Sequence, residues 1–119
     1  MQIEVQKKVP VVLCVYNRAI VSRVLEEIKK YSPPKIFIIS DGGKNEEDFK
    51  KCIEIRRIVE SYLDWECKVE KFYSDVNLGC DVIIPKGLDW VFTLTDKAII
   101  LEDDCVPSQS FFSFCEFVL

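Results

Sequence analysis

The stretch VPVVLCVYNRAIVSRVLEEIKKYSPPKIFIIS, residues 9–40, decides the fold. Residues 9–15 and 36–39 are apolar runs of strand length, and each is followed by polar or turn residues. Between them, apolar residues recur at helical spacing with charged residues interleaved, until Ser-Pro-Pro at 32–34 ends the pattern. Strands without polar alternation are typical of sheets covered on both faces. The stretch therefore predicts a strand–helix–strand unit.

The same alternation continues along the rest of the chain. Asn45 is a candidate N-cap for a second helix, and a strand follows near residues 67–72. A third helix is predicted at 79–92, a fourth strand at 97–101, and a final helix with Ser108 as its N-cap. The 119 residues are expected to form one α/β domain, spanning 1–119, with a Rossmann-like three-layer sandwich. We expect a mainly parallel sheet, helices on both faces and right-handed crossovers.

Charge and hydropathy narrow the classes of partner. The net charge is −4 and basic residues form no stripe, which argues against a nucleic-acid partner.

The second helix is predicted to bury one apolar face, made of Phe49, Cys52, Ile53, Val59 and Tyr62. Its basic residues are interpreted as a solvated face: Lys50, Lys51, Arg56 and Arg57.

Six cysteines in a short chain raise the question of a disulfide framework. The apolar run near the N-terminus is too short for a membrane span and lacks the features of a signal peptide. The cysteines form no CxxC pair and the chain has no histidine, so a zinc site is not expected. We therefore expect reduced thiols in a cytoplasmic protein with no transmembrane segment.

Polar clusters follow all four predicted strands. They are Asn17-Arg18, the segment 40–43 (SDGG), the segment 75–79 (DVNLG) and Glu102-Asp103-Asp104. In open α/β sheets, ligands bind outside the carboxyl ends of the strands, where helix N-termini also point. The sequence therefore predicts a binding site at this edge of the sheet.

The three adjacent carboxylates at 102–104 repel one another, and a bound cation would relieve that repulsion. Mn²⁺ or Mg²⁺ takes oxygen ligands, and Mg²⁺ is usually held by one or two carboxylates together with substrate phosphates. This pattern favours a metal site for a diphosphate. The alternative is an ordinary polar loop in which Asp104 or Ser108 caps the next helix.

Two further residues have two open interpretations each. Arg18 offers a forked donor to a phosphate or a base carbonyl, or it is a surface arginine at the start of the first helix. Asp41 accepts from a base N–H or a ribose hydroxyl, or it belongs to an ordinary SDGG turn. The spacing of a P-loop, GxxxxGK[ST], is absent.

Four stretches together resemble a known family: VVLCVYNRAIVSRVLEEI, IFIISDGG, NLGCDVIIPKGLDWVF and AIILEDDCVPSQSFF. The chain is similar to the nucleotide-binding N-terminal part of glycosyltransferases of the A-type fold, the nucleotide-diphospho-sugar transferase superfamily. EDD resembles that family's DxD-type metal motif, and Gly79 and Gly87 match the two glycines of its N-x-G helix. The proline, serine and two aromatics that follow EDD are similar to the pattern in the N-acetylglucosaminyltransferase-I-like branch and its bacterial relatives.

The resemblance implies a metal-dependent transfer of a sugar from a nucleotide-diphosphate donor, expected to be a UDP-sugar, to an unidentified acceptor. It implies that Asp104 binds Mn²⁺ or Mg²⁺, and that Glu102 and Asp103 contact the donor or metal-bound water. Asp41 would recognise the base, with Arg18 near the base or phosphates. The remaining nucleotide-binding residues implied are Asn17, Gly42, Asn77 and Gly79.

The chain also departs from the family. Pro85 stands where many relatives carry a polar residue, and relatives continue into a part that supplies the acceptor site and the catalytic base. The resemblance therefore implies a truncated domain that binds the donor and transfers sugar poorly or not at all, and no catalytic base is assigned.

Two other classes of function remain open. A receiver-like signalling module needs an acidic pair after the first strand, where this chain has Asn17-Arg18, and it ranks below the glycosyltransferase. A non-catalytic interaction module would use the apolar helix at Phe111 to Leu119 to form a homo-oligomer, since exposed apolar stripes promote self-association.

Overall fold

The computed structural model describes residues 8–119, in which strands and helices alternate. The elements are β1 (Val11–Val15), α1 (Val21–Tyr31), β2 (Lys35–Ser40), α2 (Glu46–Tyr62), β3 (Lys68–Tyr73), α3 (Cys80–Leu94), β4 (Ile99–Glu102) and α4 (Gln109–Val118). Both predicted N-caps are confirmed: Asn45 Oδ1 accepts from the Asp48 amide, and Ser108 Oγ accepts from the Phe111 amide.

The four strands form one parallel sheet in the order β3-β2-β1-β4. The ladder pairs Val15 with Ser40 and Ser40 with Tyr73, so β1, β2 and β3 end level with one another. On the other side of β1, Cys14 pairs with Glu102. β4 thus begins two residues later and ends one residue later than the predicted 97–101, and the first carboxylate of EDD belongs to the ladder. The predicted α/β class with a parallel sheet is confirmed.

Hydrophobic cores lie on both faces of the sheet, as predicted. Side chains alternate along β1, so that Leu13 enters one core and Val12 the other. The first core packs the sheet against α1, α2 and α4, with Leu25 and Val59 among its buried residues. The second core packs it against α3. Gly87 lets α3 lie close to β2, because an added Cβ would come within 2.5 Å of the Ile39 side chain.

The buried face of α2 differs from the predicted one. Its buried residues are Cys52, Ile55, Arg56 and Val59, whereas Phe49 and Ile53 are only partly buried. The interpretation of Arg56 as solvated is therefore wrong, because this arginine is 6% exposed. Lys50, Lys51 and Arg57 are exposed, as expected.

α4 packs against α1 through a stacked aromatic pair and through hydrogen bonds. The rings of Phe112 and Tyr31 stack at 4.4 Å with an interplanar angle of 6°. The Tyr31 hydroxyl donates to Glu116 Oε1 at 2.6 Å and accepts from the Val9 amide at 2.8 Å. Phe114 and Phe117 remain exposed on the other side of the helix.

The six cysteines are all free. Burial raises the pKa of the Cys14 thiol to about 12, with Glu102 and Asp103 adding to the effect, and burial also raises the pKa values of Cys52, Cys67 and Cys115. These thiols behave as small core residues. Within residues 8–119, no helix combines the length and apolar composition needed to cross a membrane.

Candidate functional site

A cavity of about 610 Å³ opens at the carboxyl ends of the strands. Each strand contributes to its lining through residues at or after its end: Tyr16 and Arg18 after β1, Asp41 and Lys44 after β2, Asn77 to Ile84 after β3, and Glu102 and Asp103 at the end of β4. The predicted position of the site, at this edge of the sheet, is therefore the position of the cavity. We call it the strand-end pocket.

The strand-end pocket is unbalanced in charge. Two cations line it, Arg18 and Lys44. Four carboxylates line it as well: Asp41, Asp81, Glu102 and Asp103. The net charge of the lining is negative, so an anionic ligand would be repelled unless a cation accompanied it.

The exit of β1 contacts the start of α2 through Asp48. Asn17 Nδ2 donates to Asp48 Oδ1 at 2.7 Å, the Lys44 amide donates to Oδ2 at 2.9 Å, and the Tyr16 hydroxyl also donates to Oδ2. These hydrogen bonds, with that of Tyr16 the largest cause, lower the pKa of Asp48 to about 2. Burial and the same hydrogen bond raise the pKa of Tyr16 to about 12.

Asn17 therefore does not line the strand-end pocket. It lines a neighbouring depression of about 320 Å³ with Lys44 and Asp48. Its predicted contact with a nucleotide remains a prediction, and in the structure its amide fixes the first loop to α2.

The three carboxylates of EDD have three different environments. Asp103 is buried, and its Oδ2 accepts from the Tyr16 amide at 3.0 Å. Burial is the main cause that raises the pKa of Asp103. Asp104 is exposed and pairs with Arg18, and the pKa of Asp104 is lowered, first by the hydrogen bond from Cys105 Sγ. Glu102 is exposed and faces the pocket.

Three residues at the end of β4 could hold a metal ion. Glu102, Asp104 and Cys105 each offer one ligand atom, and these atoms lie within 4.8 Å of one another. Carboxylate oxygens suit Mg²⁺ and Mn²⁺, while a thiolate favours softer ions than Mg²⁺. Arg18 contacts Asp104 through a side chain that is 55% exposed.

Asp41 joins β2 to the loop that precedes α3. Its Oδ1 accepts from the amides of Gly42 and Leu78, both at 2.9 Å. Its Oδ2 accepts from the Gly79 amide at 2.9 Å and from Asn77 Nδ2 at 3.3 Å. Asp41 is 6% exposed, so this carboxylate is buried among donors of the chain itself.

Two glycines allow the loop after β2 to lie close to the loop that precedes α3. An added Cβ at Gly42 would lie 2.6 Å from the backbone of Val76, so a larger residue would force the two loops apart. Gly79 has a φ of 82°, a conformation that glycine adopts at little cost. Its turn aims the amides of Leu78 and Gly79 at the same carboxylate.

Arg56 supports the same loops from the side of α2. Its Nε donates to Ser40 Oγ at 2.8 Å, and its Nη2 donates to the carbonyl oxygens of Ser74 at 2.8 Å and Asp41 at 3.2 Å. Its guanidinium also lies 4.5 Å from the centre of the Tyr73 ring. Arg56 thus connects the ends of β2 and β3.

Sequence reasoning missed Arg56 and Lys44. The signal for Arg56 was its spacing of four residues from Cys52 and three from Val59, which places it on the buried face. Lys44 directly follows SDGG, and only its position beside the pocket distinguishes it from other surface lysines.

No protein-family model matches this chain, and a search of curated proteins gives no match either. The case for a function therefore depends on the site itself: a concave, negatively charged pocket at the strand ends, beside a group of possible metal ligands of which Glu102 lines the pocket and Asp104 and Cys105 do not.

Proposed function

We propose that the strand-end pocket binds the nucleotide-diphosphate sugar of a metal-dependent glycosyltransferase of the A-type fold. The observation that carries the proposal is that residues from all four polar segments, with Glu102 and Asp103 of EDD among them, line one cavity at the carboxyl ends of the strands. The sequence resemblance supports the same assignment, with a UDP-sugar as the expected donor.

The size and lining of the pocket support a ligand of this class. A cavity of about 610 Å³ falls within the range of small-molecule sites, roughly 300–1,000 Å³. One wall is apolar, with Leu78, Val82 and Ile83, and suits a base or the face of a sugar ring. Arg18, Glu102 and Asp103 contribute charged groups to the lining.

The charge of the pocket makes the proposed binding metal-dependent. A diphosphate adds negative charge to a lining in which carboxylates already outnumber cations. A divalent cation held by Glu102 and Asp104 would supply the positive charge that the departing diphosphate needs. Arg18, released from Asp104, would then be available to a phosphate oxygen.

The other residues have supporting roles in this proposal. Asp103 holds the first loop through the Tyr16 amide, which places Arg18 beside Asp103 and Asp104. Asn77 and Gly79 form the wall at the start of α3. No residue is assigned as the base on an acceptor hydroxyl, so the proposal covers donor binding, with little transfer expected from these residues alone.

Calorimetric titration with UDP tests the proposal. Wild-type protein is expected to bind UDP in the presence of Mn²⁺ and to bind at least tenfold more weakly without it. Hydrogen bonds and ion pairs that involve charged groups are stronger than neutral ones, and removing Mn²⁺ removes such contacts to the diphosphate. Asp104→Asn should abolish the Mn²⁺ dependence.

Asp96→Asn is the matched control, because Asp96 is an exposed aspartate just before β4. It therefore lies at the amino-terminal ends of the strands, away from the pocket at their carboxyl ends. A folded wild-type protein that binds no nucleotide under any metal condition would remove the proposal.

A second candidate function is self-association through α4. Phe117 is 85% exposed, and Phe114, Val118 and Leu119 are also exposed. Exposed apolar patches of this kind are typical of interaction sites. Sedimentation equilibrium should show a concentration-dependent dimer that Phe117→Ser weakens and Phe92→Ser, an exposed phenylalanine on α3, does not.

A further inference from the structure

We infer that Asp41 is a positioning residue, which holds the segment 77–79 and the start of α3 as a wall of the strand-end pocket. The nucleotide is then discriminated without a contact to the Asp41 carboxylate. This inference rests on the proposed function, and it replaces the direct base contact that the resemblance implies for Asp41.

Hydrogen bonds from the chain itself fill the acceptor capacity of the Asp41 carboxylate. An ionised carboxylate has about four lone-pair sites. Asp41 accepts four hydrogen bonds from the chain, two at each oxygen. Three of the four come from backbone amides at 2.9 Å, which is normal length.

A base N–H would have to displace one of these donors. Displacing the amide of Leu78 or Gly79 would leave a partly buried N–H without its partner, which is the costly way to lose a hydrogen bond. The carboxylate also has little surface to offer, because Asp41 is 6% exposed.

Hydrogen bonds from neighbouring side chains hold Asp41 in place. Arg56 donates to its carbonyl oxygen from α2. Asn77 Nδ2 donates both to its carboxylate and to the Gly42 carbonyl at 2.8 Å. Asp41 is therefore held between the ends of β2 and β3. Its carboxylate in turn fixes the segment 77–79, which forms the pocket wall at the start of α3.

Amide hydrogen exchange of the protein without ligand tests the inference directly. Asp41→Asn replaces one acceptor oxygen by an NH₂ group that faces amide donors. Exchange at Leu78 and Gly79 should accelerate by roughly tenfold or more, since hydrogen bonds to a charged group are lost. Asp75→Asn, an exposed aspartate in the same loop, is the matched control and should leave both amides unchanged.

A nucleotide panel supplies the readout that separates positioning from base contact. With Mn²⁺ present, Asp41→Asn should weaken UDP, CDP and ADP by a common factor, so the ratios of their affinities stay those of the wild type. A selective loss of the preference for UDP over CDP would overturn the inference, and so would unchanged exchange at Leu78 and Gly79.

The two proposals fail in different ways. If wild-type protein binds none of the three nucleotides, the proposed function fails, and the exchange rates still decide whether Asp41 holds the wall. If Asp41→Asn does not fold, Asn77→Ala takes its place, because it removes donors to Asp41 Oδ2 and to the Gly42 carbonyl. Faster exchange at Leu78 and Gly79 is again expected, and unchanged exchange overturns the inference.

Discussion

Replacing Arg56 by methionine should destabilise the protein by about 2–4 kcal/mol. The guanidinium makes two hydrogen bonds of 2.8 Å, to Ser40 Oγ and the Ser74 carbonyl, and longer ones to the carbonyls of Ser40 and Asp41. Hydrogen bonds to charged groups contribute about 1.5–3 kcal/mol each, so the two short ones give roughly 3–6 kcal/mol. Removing the buried charge also removes the desolvation penalty that opposes folding, so the expected loss of stability is smaller than the sum of the two hydrogen bonds.

Urea denaturation of wild type, Arg56→Met and Arg57→Met measures this effect. Arg57 lies on the same helix with a side chain that is 75% exposed, so its substitution should change the free energy of unfolding by less than about 0.5 kcal/mol. Arg56→Lys should destabilise the protein nearly as much as Arg56→Met does, because lysine lacks the forked guanidinium that contacts the ends of two strands. An Arg56→Met variant within about 0.5 kcal/mol of wild type would refute this reasoning.

Three other predictions concern the packing, the metal donors and the first loop. Gly87→Ala should cost about 1–3 kcal/mol in urea denaturation, because its Cβ would overlap the buried side chain of Ile39, and an unchanged midpoint would contradict this. Cys105→Ser should weaken Mn²⁺ binding more than Mg²⁺ binding, measured by competition calorimetry, because it removes the softest donor. The pKa of Asp48 is lowered from 3.8 to about 2, so its contribution to stability is present above pH 3.8 and is lost as the pH falls through about 2. Tyr16→Phe should raise that pKa toward 3.8, as observed by carboxyl NMR titration, and no change would exclude Tyr16 as the main cause.

Much of the fold could be predicted because its signals are local. The apolar runs at 9–15 and 36–39 are too continuous for exposed strands, and the caps Asn45 and Ser108 mark helix starts by side-chain chemistry alone. The edge that carries the pocket then follows from topology, because loops after parallel strands meet at one end of the sheet.

The roles of individual site residues could not be predicted, because they depend on tertiary partners. α2 has apolar residues at 52, 53, 55 and 59, which allow two buried faces, and the contact with the ends of β2 and β3 selects the one that includes Arg56. Asn17 is polar and follows a strand, yet its amide contacts Asp48 of α2. The metal role of Asp104 and the homo-oligomer through α4 remain predictions.

The most direct test of the central claim is an NMR titration that uses Mn²⁺ as a paramagnetic probe in the presence of UDP. The donor-pocket account predicts that amide signals broaden first at residues 102–105 and Arg18, that UDP shifts signals at 77–83, and that Asp104→Asn removes the broadening. Broadening that is absent, or that centres on the opposite edge of the sheet near Asp96, would contradict it.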